Sequence, residues 1–155
     1  MCDDAKLMQS GLKALPSWVF QRIAHNIDLE ILKARHIVLL GYSLPPDDAL
    51  WVAELQSRKQ RVHDEAFCSL VGFDRDLHDR GWLSGDDLDK YLKTENPDLY
   101  SSLKSVVAVF GKSHVRVNYR GFPDVVDSKE ALRDLLYPED WMTSVKNSSV
   151  MRQGG

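Results

Sequence analysis

The stretch that decides the fold runs from residue 34 to residue 48 and reads Ala-Arg-His-Ile-Val-Leu-Leu-Gly-Tyr-Ser-Leu-Pro-Pro-Asp-Asp. A short apolar run ends at Gly41, and a polar loop, two prolines and two carboxylates follow. This pattern is typical of a buried parallel strand that delivers a small-residue loop to the carboxyl edge of a sheet, where open α/β folds bind ligands. Gly41 would permit close approach of a ligand to the backbone, and Ser43 offers a hydroxyl. An ordinary strand-to-helix turn is the alternative interpretation.

Helices and strands are predicted to alternate along the rest of the chain. Apolar residues at helical spacing predict a helix over residues 17–34, with a break near Asn26. Further helices are predicted to end near Arg61, to cover a short segment at 85–92, to begin at Pro97, and to follow Ser128. Strands are predicted at 36–42, 66–73 and 114–119.

Strands that are separated by helices pair in parallel, because the crossover needs a connection of that length. The sequence therefore predicts an α/β fold with a three-stranded, mainly parallel sheet and helices on both faces. The side chains expected in its core are Leu39, Leu40, Leu70, Val71, Val115 and Val117. We expect one domain over residues 1–142 and a disordered tail over 143–155.

Composition and charge narrow the class of protein. The 155 residues are 43% hydrophobic and carry a net charge of −3, so a general nucleic-acid-binding role is disfavoured. The sequence has neither an apolar run long enough for a membrane helix nor the basic-then-apolar start of a signal peptide. Cys2 and Cys68 have no metal-ligand spacing and suggest a reducing compartment, so we expect a cytoplasmic protein with no nucleic-acid or membrane partner.

Residues 29–34 and 37–48 resemble the second half of the sirtuin-like NAD-binding domains of bacteria. Those domains carry a helix, a hydrophobic strand and a Gly-Tyr-Ser-Leu/Phe-Pro loop, followed by an acidic residue. The segment Leu-Pro-Ser-Trp at 15–18 is similar to a Pro-Thr-Trp segment of the same family. The resemblance implies half of a Rossmann-like, sirtuin-type domain. It implies binding of the adenosine side of NAD or ADP-ribose through Gly41, Tyr42, Ser43 and, from the second strand, Asp74.

In that family the pyrophosphate loop and the residues that carry the chemistry lie in the first half. Only 40 residues precede the Gly-Tyr-Ser loop here, and they contain no glycine-rich turn. We therefore assign no catalytic residue, and we expect a weak or partial NAD site and no NAD turnover by this chain alone. His63, His78 and His114 lack the spacing of a zinc site, so no metal is expected. The Gly111-Lys112-Ser113 segment lacks the earlier glycine of a phosphate-binding loop.

Three functions are compatible with these features. The chain is a nucleotide-binding half-domain, a protein-interaction module without a ligand, or the carboxyl-terminal piece of a larger NAD-consuming enzyme. A sheet without its first half leaves the strand at 36–42, or its neighbour, with one unpaired side, and such an edge is a template for association. We accordingly expect a homodimer, or a partner chain that completes the sheet.

Overall fold

The computed structural model describes residues 17–41, 49–61 and 65–153. Its internal contacts divide the chain into two units, Met1–Lys33 and Ala34–Gly155, where a single domain over 1–142 was expected. The first unit contains helix α1, Ser17–Lys33, which is continuous through the position where a break was predicted. The second unit contains the sheet and all the other elements described below.

The second unit is built on a four-stranded mixed sheet. Its strands are β1 (His36–Leu40), β2 (Phe67–Val71), β3 (Leu83–Ser84) and β4 (Val115–Asn118), in the order β1-β2-β4-β3. The three predicted strands are present, and β1, β2 and β4 are parallel. Strand β3 joins β4 antiparallel.

The α/β class is therefore confirmed, but the predicted three-stranded sheet and the Rossmann-like half-domain are wrong. Strand β3 escapes sequence analysis because it has only two residues, Leu83 and Ser84, and two residues cannot show an alternating pattern. It ends the sheet order on the side of β4, so the mixed sheet has β1 at one end and β3 at the other.

Helices pack on both faces of the sheet, as predicted. The main helices of this unit are α2 (Ala49–Arg61), α3 (Pro97–Phe110), α4 (Lys129–Leu136) and α5 (Glu139–Gln153). Helix α3 contacts α2, β2 and β4. On the other face, Leu135 of α4 lies in a cluster with Val71, against which Val38 packs.

Two of the six side chains predicted to lie in the core, both on β1, are partly exposed. Leu70, Val71, Val115 and Val117 are at most 3% exposed, as expected. Leu39 is only half-buried, and Leu40 is 45% exposed. Within the described residues, Leu40 ends an outer strand with a neighbouring strand on one side, and its side chain keeps contact with solvent.

The carboxyl-terminal segment is helical where a disordered tail was expected from residue 143. Helix α5 spans Glu139–Gln153, and its Trp141 ring lies edge-on to Phe67, with 5.2 Å between ring centroids. A tertiary contact at the start of the helix anchors a segment whose own sequence is weakly amphipathic. The short helix expected near 85–92 is a π-type segment, Leu88–Thr94, in which Leu88 and Leu92 are fully buried.

A polar chain centred on the buried Ser69 and Arg116 links the strands on the face that α4 covers. Ser69 Oγ lies 2.8 Å from His36 Nε2 and accepts a 2.7 Å hydrogen bond from Arg116 Nε. Arg116 also donates to the Asp134 carboxylate, at 3.1 Å, and its guanidinium stacks 3.9 Å from the Trp82 ring centroid. Each member of this chain therefore has a partner, as buried polar groups require.

Candidate functional site: the carboxyl edge of the sheet

The three parallel strands deliver their following residues to one edge of the sheet, and backbone hydrogen bonds hold these residues together. Gly41 N–H donates to the Val71 carbonyl at 2.8 Å. Gly121 N–H donates to the Gly72 carbonyl at 2.9 Å. Because Leu40 lies opposite Val71 in the register, Gly41 and Gly72 leave the sheet side by side. This edge is where ligands bind in open α/β sheets.

Gly41 has the properties predicted for a site of close approach. Its φ angle is +63°, in the left-handed region that side chains rarely adopt. Among the described residues, no heavy atom lies within 4 Å of a Cβ atom built at Gly41. The glycine is therefore needed for the backbone conformation, and the described residues leave space beside it. Tyr42 and Ser43, the next two predicted site residues, lie outside the described residues.

Asp74, the fourth predicted site residue, lies at this edge and has a structural role there. Its Oδ1 accepts backbone hydrogen bonds from Asp76 at 3.0 Å and from Leu77 at 3.2 Å. Its own N–H donates to the Tyr119 carbonyl at 3.0 Å. Asp74 therefore closes an Asx-type turn with one carboxylate oxygen.

Two exposed aromatic rings lie at the same edge and were not predicted from the sequence. Phe73 is 66% exposed and Phe122 is 51% exposed. A Cβ at Gly121 would come within 3.4 Å of the Phe73 ring, so the missing side chain makes room for that ring against the backbone. The signal in the sequence is a Gly-Phe pair after each of two strands, Gly72-Phe73 and Gly121-Phe122.

Two further polar groups belong to this edge. His78 Nε2 lies 3.1 Å from Asp124 Oδ2, which ties the loop after β2 to the loop after β4. Hydrogen bonds to Asp124 and Asp79 raise the pKa of His78. Burial raises the pKa of Tyr119 to about 12, and the Asp74 carboxylate adds to this shift. The Tyr119 hydroxyl has no hydrogen-bond partner among the described residues.

Two further features were searched for in the described residues: a metal site and a membrane-spanning helix. Over residues 17–41, 49–61 and 65–153, no three His, Cys, Asp or Glu side chains gather in a way that could hold a metal ion. No helix in these ranges combines the length and the apolar character needed to cross a bilayer.

Comparison of the chain with protein-family models, with curated proteins and with solved structures finds no match.

Proposed function

We propose that the carboxyl edge of this sheet binds the adenosine side of NAD or ADP-ribose. The observation that carries the proposal is Gly41, a left-handed glycine at the end of a parallel strand, whose Cβ position no described residue approaches within 4 Å. The resemblance of the loop that follows to the sirtuin-like Gly-Tyr-Ser loop supplies the class of ligand. Tyr42 and Ser43 belong to the proposed site through that resemblance.

The exposed edge offers suitable chemistry for a nucleoside. The Phe73 ring presents an apolar face on which a base can stack, and base–aromatic stacking contributes about 1–3 kcal/mol. Asp74 uses Oδ1 in its turn, and its second oxygen can accept a hydrogen bond from a ribose hydroxyl. These few contacts without a pyrophosphate loop support weak binding, with a Kd of about 1 mM, or roughly −4 kcal/mol.

Calorimetric titration of the protein with NAD and with ADP-ribose tests this proposal. Gly41→Val should abolish binding, because the branched side chain fills the approach and strains the backbone. Gly85→Val is the matched control, since Gly85 also has a positive φ (+56°) and open space. Gly85 follows β3 and lies toward the opposite edge of the sheet. Equal loss in both variants, or binding to neither nucleotide by the wild-type protein, would contradict the proposal.

The protein is proposed not to consume NAD by itself. Nicotinamide release from NAD should stay at the level of a heat-inactivated control. Clear turnover would contradict this part of the proposal and would direct attention to the His78–Asp124 pair, which lies at the same edge.

A second candidate function, a protein-interaction module, is favoured by strand β1. In the part of the chain that the structure describes, β1 pairs with β2 and ends the sheet order. The Arg35 carbonyl and the Gly41 N–H bond to β2, so alternation directs the backbone groups of His36, Val38 and Leu40 away from β2. A second copy or a partner chain could continue the sheet on this side.

Sedimentation tests the interaction module. The wild-type protein should form a species heavier than the 17.7 kDa monomer at micromolar concentration. Leu40→Lys places a charge on the exposed end of β1 and should give a monomer, because edge lysines oppose strand pairing. Leu132→Lys is the control, since Leu132 is similarly exposed but lies on α4. A monomeric wild type would remove this candidate.

A further inference from the structure

A separate cavity lies at the opposite, amino edge of the sheet. It has a volume of about 440 Å³. The ends of α2 and α3 and the residues that come just before β2 and β4 form its walls. Leu55, Val109 and Phe110 give it an apolar wall. Its polar lining includes Glu65, Ser113 and His114, none of which belongs to the nucleotide site proposed above.

These three polar side chains form a connected set. Ser113 Oγ lies 3.1 Å from His114 Nδ1, and His114 Nε2 lies 2.8 Å from Glu65 Oε2. The His114 side chain is only 8% exposed, whereas Ser113 is exposed. One tautomer satisfies both contacts: a protonated Nε2 faces Glu65, and an unprotonated Nδ1 accepts from the Ser113 hydroxyl.

The contact between His114 and Glu65 is close but imperfectly aligned. The two atoms lie at hydrogen-bond distance, yet the Nε2–H direction does not meet hydrogen-bond geometry. The Glu65 side chain is 70% exposed, so a small rotation can align it without disturbing the core. The pair is therefore an electrostatic contact that becomes a hydrogen bond when Glu65 adjusts.

Sheet topology explains how distant residues meet here. Glu65 lies just before β2, and Ser113 and His114 lie just before β4. Strands β2 and β4 are parallel neighbours, so the residues that precede them share one edge of the sheet.

We propose that Ser113, His114 and Glu65 form a serine nucleophile site that transfers the acyl group of small esters. An exposed serine, an imidazole base within hydrogen-bond reach and an acid that orients the base are the parts such a site needs. Ser113 is the nucleophile, His114 is the base, and Glu65 is a positioning residue. This activity is distinct from nucleotide binding and does not depend on it.

The reaction uses the ester and water alone. Ser113 Oγ bonds to the carbonyl carbon while its proton passes to His114 Nδ1, and the C–O bond to the alcohol then breaks as the alcohol takes that proton. Water next attacks the acyl-serine and gives a proton to His114. His114 returns this proton to Ser113 Oγ as the carboxylic acid leaves.

The cavity also suits the charge that develops in this reaction. Negative charge appears on the carbonyl oxygen in the tetrahedral state, and preorganised positive groups stabilise it. Arg58 lines the same cavity, is only 4% exposed and is held by a hydrogen bond that it donates to the Ala34 carbonyl, and the exposed Lys59 also lines the cavity. The apolar wall favours a short acyl chain, so the substrate class is a small aliphatic ester.

Covalent trapping tests the nucleophile. The whole protein is incubated with an alkyl fluorophosphonate, whose phosphorus bonds to an activated serine oxygen as fluoride leaves, and the adduct is located by mass spectrometry of peptides. Label should appear on Ser113, and Ser113→Ala should lose it. Ser102→Ala is the matched control, because Ser102 is exposed and its hydroxyl donates to the Leu99 carbonyl at 2.7 Å. Absence of label on Ser113, or equal label on Ser102, would overturn the proposal.

Two further variants test the base and the positioning residue. His114→Gln should slow both the labelling of Ser113 and p-nitrophenyl acetate hydrolysis at least tenfold. Because His114 is buried, its substitution also affects folding, so Glu65 provides an independent test at an exposed position. Glu65→Gln should slow labelling severalfold and Glu65→Asp should restore much of it. Equal rates in the glutamine and aspartate variants would contradict the assigned role of the carboxylate.

Discussion

Strands β1 and β2 have similar apolar character and very different surroundings. Strand β1 reads His-Ile-Val-Leu-Leu and β2 reads Phe-Cys-Ser-Leu-Val, so β1 is the more aliphatic of the two. Nevertheless, all five residues of β2 are buried, whereas the five residues of β1 are half-buried or exposed. Strand β2 lies between β1 and β4, whereas β1 is the first strand of the sheet that the described residues form. The burial of a strand in this protein is thus set by its neighbours rather than by its own hydrophobicity.

The largest expected difference comes from the same substitution on the two strands. Leu39 and Leu70 lie opposite each other in the register, but Leu70 is 3% exposed and Leu39 is half-buried. Leu70→Ala should lower the free energy of unfolding by about 3 kcal/mol, through lost burial and a cavity. Leu39→Ala should lower it by about 1 kcal/mol. Urea unfolding measures both, and equal losses would show that β1 is as well covered as β2.

A smaller loss is expected from the polar residue inside the buried strand. Ser69 is fully buried and serves both His36 of β1 and Arg116 of β4. Ser69→Ala leaves the buried Arg116 Nε without its acceptor and should cost about 2 kcal/mol in urea unfolding. Ser102→Ala, at an exposed serine of α3, should change stability by less than about 0.5 kcal/mol. A Ser69→Ala variant as stable as the wild-type protein would mean that the polar chain does not join the strands.

The pH dependence of stability should also distinguish the two strands. Burial, and secondly the positive charge of Arg116, lowers the pKa of His36 to about 4 from its ordinary 6.5. The Leu136 carbonyl and Asp134 act in the opposite direction. As the pH falls, the unfolded chain therefore binds the proton at a higher pH than the folded protein does. The neutral His36 thus contributes fully to the free energy of unfolding above pH 6.5, and this contribution is lost as the pH falls toward 4.

Comparison with His36→Gln isolates this effect. Solvent access to the half-buried His36 ring weakens the effect of its pKa shift. The free energy of unfolding should therefore fall by about 1–2 kcal/mol more in the wild-type protein than in the variant between pH 7 and pH 4. Urea unfolding at several pH values gives the difference. Parallel pH profiles for the two proteins would contradict the neutral, buried state of His36.

The smallest effect is expected at the exposed end of β1. Leu40→Ala should change the free energy of unfolding by no more than about 0.5 kcal/mol, because Leu40 is 45% exposed. Thermal unfolding of this variant beside the wild-type protein measures it. A loss as large as that of Leu70→Ala would place Leu40 in a core that the described residues do not show.

Part of the candidate site was accessible from the sequence. An apolar run that stops at a glycine predicted the strand that ends before Gly41, because this signal is local to the chain, whereas the positive φ of Gly41 became visible only in the structure. The aromatic rings of Phe73 and Phe122 were not predicted, since their exposure depends on where β2 and β4 end in the sheet. Asp74 was predicted at the correct edge, but its turn hydrogen bonds became visible only with the backbone geometry.

The amino-acid sequence alone determined the α/β class, the three parallel strands and the start of helix α3 at Pro97. These features follow from periodicity and from residues that begin or end an element, and such signals act over a few positions. The tertiary structure alone decided which strand lies at the end of the sheet, that β3 joins it, and that Glu65 meets His114. Sheet order and long-range contacts depend on which elements pack against each other, and the residue pattern within a single element does not specify its packing partner.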